Sequence, residues 1–205
     1  ETALADAGIG FRLRGTEQFF RRPEVRQAMV QIRSAARAEA ESGTGAVAQQ
    51  VRDMLRSLGW SQHAPRTVGS TREKWESMAA LVDMTDRLAA AHAAATTINS
   101  NAGIESHDIA LVLGSGWGGA ADLLGETVAE ISAAEVPGFH APAVEGHGAT
   151  LRTVRIEASG KHALVLGSRT HYYEGKGVRA VAHGVRTAAA AGCSSLVLTN
   201  GCGGL

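Results

Sequence analysis

The sequence predicts an α/β fold for the second half of the chain, preceded by a mostly α-helical segment. Three short apolar runs contain Leu-Val-Leu and then break into Gly, Ser, Thr or Asn; they occupy residues 110–117, 163–174 and 195–204. Runs of this length bounded by turn residues are typical of strands buried on both faces of a parallel sheet. The first 90 residues show helical spacing of apolar side chains instead. We therefore expect two domains, residues 1–90 and 91–205.

The helical segment divides at glycines and prolines. A helix is expected to begin at Pro23, because proline is favoured in the first turn. Its apolar stripe comprises Val25, Met29, Ile32 and Ala36. A second helix carries Val47, Val51, Met54 and Leu58, with Gly59 as its C-terminal cap. After a loop over residues 61–69, the pattern Ser70-Thr-Arg-Glu73 predicts the start of a long helix that contains Trp75, Met78, Val82 and Leu88 and ends at residues 100–103.

The second half alternates strands and helices. Strands are expected over residues 109–113, 151–156, 161–166 and 195–199, with the middle two paired as a hairpin through Ser159-Gly160. Residues 118–124 and 178–191 are expected to be helical, and residues 135–148 to form a loop. In the later helix the apolar face comprises Val178, Val181, Ala182, Val185, Ala188 and Ala189, and the other face Arg179, His183 and Arg186. The last strand is expected to present an unpaired edge.

Composition excludes several classes of protein. The 205 residues carry 20 basic and 20 acidic side chains, so overall charge favours neither nucleic acid nor a membrane surface as a partner. Apolar residues make up 44%, which predicts a folded core. The two cysteines, Cys193 and Cys202, lack metal-ligand spacing and indicate reduced thiols in a cytoplasmic protein. The absence of an initiator Met and a C-terminus just past a strand suggest a fragment.

The strand exits predict a phosphate site. Parallel strands leave a sheet at one edge, which would bring Ser115, Arg169, His171 and the amides around Gly201 together. A hydroxyl, a guanidinium, an imidazole and glycine-rich amides all donate hydrogen bonds to oxyanions. Arg169, His171 and Tyr173 would share a face of an extended chain. Glu174 would hold His171 in a donor tautomer.

Other interpretations of these residues are open. Gly114-Ser-Gly-Trp-Gly-Gly119, with Glu135 about 20 residues on, fits the spacing of a dinucleotide-binding loop. The same glycines could simply let a strand turn into a helix. The segment from Arg169 to Glu174 could form a surface salt bridge beside a structural histidine. His147, between two glycines, lies in a loop that could fold over the crevice.

Five motifs in order resemble the trimeric purine nucleoside phosphorylases over roughly residues 91–205. They are Leu113-Gly-Ser115-Gly, Val136-Pro-Gly-Phe139, Gly146-His147-Gly148, Gly167-Ser-Arg169-Thr-His171-Tyr-Tyr173-Glu-Gly175 and Thr199-Asn-Gly201-Cys-Gly-Gly-Leu205. The resemblance implies an enzyme with part of that family's α/β sheet and its flanking helices. It also implies phosphorolysis: phosphate attacks C1′ of a purine nucleoside with inversion, giving free base and ribose 1-phosphate.

The resemblance assigns roles by position. It implies that phosphate is bound by Ser115, His147, Arg169, His171 and the amide of Gly201. Tyr173 would pack against ribose, while His171 and Glu174 would be the catalytic pair, with Glu174 supporting His171. Phosphate is the co-substrate, and neither another cofactor nor a metal is implied. The family forms homotrimers. Its purine-reading residues lie beyond the last strand of this sequence, so we expect the chain as given to be inactive.

The leading 90 residues resemble a different family. The stretch from Ala7 to Gly15, then Phe19-Phe-Arg-Arg-Pro-Glu-Val25 and Trp75-Glu-Ser-Met-Ala-Ala-Leu81, is similar to part of UvrD-like superfamily 1 helicases. The sequence contains no Walker-type phosphate loop, so this segment is not expected to bind ATP as those enzymes do. The alternative function is therefore a non-catalytic, nucleic-acid-binding module derived from a helicase.

Overall fold

A computed structural model of the chain describes residues 16–42, 47–113, 117–140, 150–167 and 170–199. The chain divides into two units, residues 1–86 and 87–205. The division falls inside one long helix, α4, which spans Ser70–Ala102. In the described part of the chain, no helix is both long and apolar enough to cross a membrane.

The first unit is helical, as the spacing of its apolar residues predicts. It contains α1 (Thr16–Arg21), α2 (Pro23–Ser42), α3 (Val47–Ser57) and the first half of α4. Helix α2 begins at the predicted proline, and Gly59 has the positive φ of 97° expected of a helix C-cap. The predicted loop over residues 61–69 contains no helix or strand.

A single apolar cluster fills the described part of this unit. Its buried members are Val25, Ala28, Val51, Leu55, Met78, Leu81 and Val82. The predicted stripe of α2 is confirmed for Val25, Met29 and Ile32, which all contact this cluster. The stripe of α3 is partly wrong: Val47 is exposed and Leu55 is buried, because the face that meets α2 and α4 is centred on Val51 and Leu55.

The second unit contains a mixed five-stranded sheet, which confirms the predicted α/β fold. Its strands are β1 (Ile109–Val112), β2 (Gly125–Ser132), β3 (Thr150–Ile156), β4 (His162–Leu166) and β5 (Ser195–Leu198). Their order across the sheet is β2-β3-β4-β1-β5. Strand β1 is parallel to β4 and β5, whereas β3 is antiparallel to β2 and β4. The predicted hairpin of β3 and β4 is therefore confirmed.

Strand β2 was not expected from the sequence, and β5 is less buried than expected. The sequence of β2, Gly-Glu-Thr-Val-Ala-Glu-Ile-Ser, has no continuous apolar run, since β2 lies at an edge and only part of it contacts the core. At the opposite edge, Val197 and Leu198 of β5 are 46% and 56% exposed. The prediction that β5 is buried on both faces is wrong, and the prediction of an unpaired edge is confirmed for the described strands.

The helices of the second unit pack small side chains against the sheet. They include the 3₁₀ helices Gly118–Leu123, Ala133–Glu135 and Tyr172–Glu174, the short helix α5 (Gly177–Val181) and α6 (His183–Ala190). The core that joins α4, α6 and the sheet includes Ala94, Ala95, Ile98, Ala188 and Ala191. Alanine allows helices to lie close to the sheet, so this unit needs few aromatic residues.

The predicted helix over residues 178–191 is two helices with a different buried face. The chain turns at Ala182, so α5 and α6 do not share one continuous stripe. Val178, Val181 and Val185 are exposed, whereas His183, assigned to the polar face, is buried. The imidazole is tolerated there because its Nε2 lies 2.9 Å from the carbonyl oxygen of Pro137.

Candidate functional site

Three parallel strands end side by side at one edge of the sheet. Val112, the last residue of β1, is in register with Leu166 of β4 and with Leu198 of β5. The backbone N–H and the hydroxyl of Thr199 both donate to the carbonyl oxygen of Val112, at 3.0 and 3.1 Å. Neighbouring strands lie about 4.8 Å apart, so the three exits span about 10 Å. This is the size of a site for a small anion or sugar.

Four of the predicted site residues lie outside the described residues. These are Ser115, His147, Arg169 and Gly201. Their phosphate-binding roles stay predictions. What the structure describes at this edge is the framework from which three of the four follow: Leu113 after β1, Gly167 after β4 and Thr199 after β5.

The remaining three predicted residues form one tight turn after β4. His171 precedes the 3₁₀ helix Tyr172–Glu174, and Gly175 ends it with a φ of 74°, a conformation that glycine adopts without strain. The rings of His171 and Tyr173 stack with their centroids 4.9 Å apart and their planes 13° apart. The predicted common orientation of these two side chains is thus present in the structure, although the chain is extended only at His171 and then turns into the 3₁₀ helix.

Glu174 contacts the main chain of His171. Its Oε1 accepts a hydrogen bond of 2.7 Å from the His171 backbone N–H, and its Oε2 lies 3.0 Å from the ammonium of Lys176. These two interactions, the backbone hydrogen bond first, lower the pKa of Glu174, so the carboxylate is charged at neutral pH. Glu174 therefore supports His171 through a hydrogen bond with its backbone N–H. The structure describes this contact in place of the predicted one between the carboxylate and the imidazole ring.

The topology contradicts the dinucleotide interpretation of the glycines at 114–119. In a dinucleotide-binding unit the strand that follows the glycine turn and its helix lies parallel beside the first strand. Here the next strand, β2, pairs antiparallel with β3 and is separated from β1 by β3 and β4. Glu135 ends a 3₁₀ helix rather than a parallel strand. The interpretation is therefore wrong.

Other titratable groups in this unit have structural partners. His107 is buried between Asn99 and Thr153, and burial lowers its pKa to about 4. Burial raises the pKa of the Cys193 thiol to about 11, so the thiolate needed for nucleophilic chemistry is scarce at neutral pH.

Among the described residues, no group of three or more His, Cys, Asp or Glu side chains could hold a metal ion. Sequence spacing carried no signal for the contacts of His107 with Thr153 and of His183 with Pro137, because each pair is 46 residues apart in the chain.

Comparison with known proteins finds relatives of two kinds, each matching a different share of this chain. No family model matches the sequence. The purine nucleoside phosphorylase of Cellulomonas sp. is 65% identical over 124 residues, which are 59% of this chain and 44% of that enzyme. The ATP-dependent DNA helicase UvrD2 of Mycobacterium bovis is 36% identical over 87 residues, 42% of this chain and 12% of the helicase.

The same family occurs among solved structures. Isoform 2 of purine nucleoside phosphorylase from Schistosoma mansoni, in complex with cytosine and ribose-1-phosphate, is 26% identical with a TM-score of 0.46, covering 53% of this chain and 37% of that one. The chain thus spans less than half the length of the phosphorylases it matches. Its resemblance to a part of these enzymes, with a segment similar to a UvrD-like helicase, is confirmed.

Proposed function

We propose that residues 91–205 carry the phosphate-binding part of a purine nucleoside phosphorylase. The observation that carries this proposal is the 65% identity with the Cellulomonas enzyme over 124 residues. The common edge formed by the ends of β1, β4 and β5 supports it, because each predicted phosphate-binding motif except that of His147 follows one of these strands. The proposed reaction is attack of phosphate on C1′ of a purine nucleoside, which releases the base and ribose 1-phosphate.

In this proposal the donors at the edge hold the phosphate and orient it. Ser115, His147, Arg169, His171 and the amide of Gly201 donate to its oxygens, and a charged donor such as Arg169 contributes about 1.5–3 kcal/mol. Tyr173 packs against the ribose. Its 83% exposure leaves one ring face available, while the other stacks on His171.

The positioned anion also supplies the main catalytic effect. The transition state of glycosidic bond cleavage resembles an oxocarbenium ion, so a fixed negative charge close to C1′ stabilises it. Glu174 contributes indirectly, since its carboxylate accepts a hydrogen bond from the backbone of His171. Phosphate binding is the part of the reaction that we assign to residues 91–205.

Turnover is a property we assign to a longer protein. The chain spans 44% of the Cellulomonas enzyme, and the purine-reading residues implied by the resemblance are not among its motifs. We therefore expect the 205-residue chain to bind phosphate without phosphorolysing inosine or guanosine. Production of free base in a coupled assay would contradict this assignment.

Titration of the 205-residue chain with inorganic phosphate tests the site directly. By isothermal calorimetry, Arg169→Ala is expected to weaken binding by about 10- to 150-fold, the equivalent of one charge-assisted hydrogen bond. Arg155→Ala is the matched control: this arginine lies on β3 and pairs with Glu126 of β2, at the opposite end of the sheet from the strand exits. Equal affinity of the wild-type and Arg169→Ala proteins would refute the phosphate site.

The first unit supports a second candidate, a nucleic-acid-binding module. The 36% identity with UvrD2 over 87 residues favours it. Binding of a labelled DNA duplex to the chain, with an affinity that falls steeply as salt rises, would support this function because phosphate contacts release counterions. The equal numbers of basic and acidic residues weigh against it.

A further inference from the structure

We propose that Lys176 is a positioning residue of this phosphate site, whose ammonium compensates the charge of the carboxylate that holds the His171–Tyr173 turn. The inference rests on the proposed function and deepens it. It assigns a role to a residue that none of the motifs discussed above contains. It also explains how an acidic side chain can be used to build an anion site.

The geometry places one carboxylate between two donors. Oε1 of Glu174 accepts from the His171 backbone N–H at 2.7 Å, and Oε2 contacts Lys176 Nζ at 3.0 Å. The side chains of Glu174 and Lys176 are only 14% and 29% exposed, so neither is a freely solvated surface group. Gly175 and Gly177 have φ values of 74° and 77°, and the turn they make returns Lys176 to the carboxylate.

Without Lys176 the negative charge of the Glu174 carboxylate would repel the bound phosphate. The carboxylate is hydrogen-bonded to the backbone of His171, whose imidazole is proposed to bind phosphate, and its lowered pKa keeps it ionised across the neutral range. Like charges within a Debye length of about 8 Å repel one another. A cation bonded to the other oxygen converts this net charge into a nearly neutral pair while the hold on His171 is kept.

Lys176 could act as a structural tether or as a compensating charge. The two roles predict different phosphate affinities when Glu174 is also changed. If Lys176 only fastens the turn, removing the Glu174 charge in addition should weaken binding further or leave it unchanged. If it compensates charge, Lys176→Met should weaken phosphate binding, and adding Glu174→Gln should recover part of the loss. Gln can still accept from the His171 N–H through its amide oxygen, so the backbone hold survives in the double variant.

The experiment is a phosphate titration of the full 205-residue chain and four variants by isothermal calorimetry. Lys176→Met is expected to raise the Kd about three- to tenfold at 50 mM salt, and by less at 0.5 M salt. Lys176→Arg should stay within about twofold of wild type, because a guanidinium also supplies the cation. The double variant Lys176→Met/Glu174→Gln should bind more tightly than Lys176→Met alone. Lys161→Met, an exposed lysine on the β3–β4 turn, is the matched control for loss of one positive charge.

The outcomes separate this inference from the function on which it rests. Unchanged affinity in Lys176→Met, while Arg169→Ala loses binding, overturns the role of Lys176 and leaves the phosphate site intact. A double variant as weak as Lys176→Met overturns charge compensation in favour of a tether. Absence of phosphate binding by the wild-type chain overturns the proposed function and this inference with it.

Discussion

The second unit should lose stability in mild acid because of one buried histidine. His107 is 1% exposed, with Nδ1 3.0 Å from Asn99 Oδ1 and Nε2 2.9 Å from Thr153 Oγ1. The amide of Asn99 donates through Nδ2 to the carbonyl oxygen of Glu105 at 2.8 Å, which directs its oxygen toward the imidazole. Nδ1 therefore carries the proton, and Nε2 accepts from the Thr153 hydroxyl. The neutral ring joins the end of α4 to β3.

The magnitude follows from the shift of the pKa. Burial, assisted by the nearby charge of His162, lowers the pKa of His107 from 6.5 to about 4. Above pH 6.5 the imidazole is neutral in both the folded and the unfolded chain. As the pH falls from 6.5 to 4, the unfolded chain binds the proton first, so the free energy of unfolding drops by up to about 3 kcal/mol, at 1.4 kcal/mol per pH unit.

Urea titrations at pH 7.5 and 4.5, followed by the methyl NMR signals of Val154 and Leu164, would measure this loss in the second unit alone. Both side chains are fully buried in its core. His107→Gln should remove most of the difference between the two pH values, since glutamine can donate and accept without titrating. His140→Gln, at an exposed position, is the control and should preserve it. A pH-dependent loss of the same size in His107→Gln would refute the assignment to this residue.

Two further substitutions, each with a matched control, test the second unit: one its core packing and the other aggregation through its edge strand. In Gly138→Ala, the new Cβ would lie 2.5 Å from His183 Nε2 at a φ of 78°. We expect urea unfolding to show a loss of about 2–4 kcal/mol, against about 1–2 kcal/mol for Gly160→Ala, which has a similar φ and open space around it; equal losses would show that the His183 contact contributes nothing. Val197→Lys, on the exposed edge strand β5, should slow aggregation measured by light scattering. Val185→Lys adds the same charge on helix α6, and an equal effect there would rule out edge pairing as the cause.

Local pattern was sufficient for much of the fold. The strands β1, β3, β4 and β5, the start of α2 at Pro23 and the end of α4 before Gly103 all follow from short-range spacing and turn residues. Such signals depend only on neighbouring residues, so they can be found in a single sequence. Strand β2 has no comparable signal, since its polar residues face solvent at the sheet edge.

The sheet edge at which the site is proposed was also predictable. Three similar apolar runs predicted parallel strands that end side by side, and the register of β1 with β4 and β5 agrees with this. The partner of the Glu174 carboxylate did not follow, because choosing between the ring and the backbone of His171 requires the geometry of the turn. Lys176 was missed for the same reason.

The sequence alone predicted most of the helices and strands, the α/β class and the edge at which the parallel strands end. It also carried the resemblance to a phosphorylase in one part and to a helicase in the other. Tertiary structure alone decides that the side chains of β5 are exposed rather than buried on both faces, that His183 and not Val178 or Val185 is buried, and that His107 is neutral. The physical reason is that local conformation depends on residues a few positions apart, whereas burial and pKa depend on which distant segments pack together.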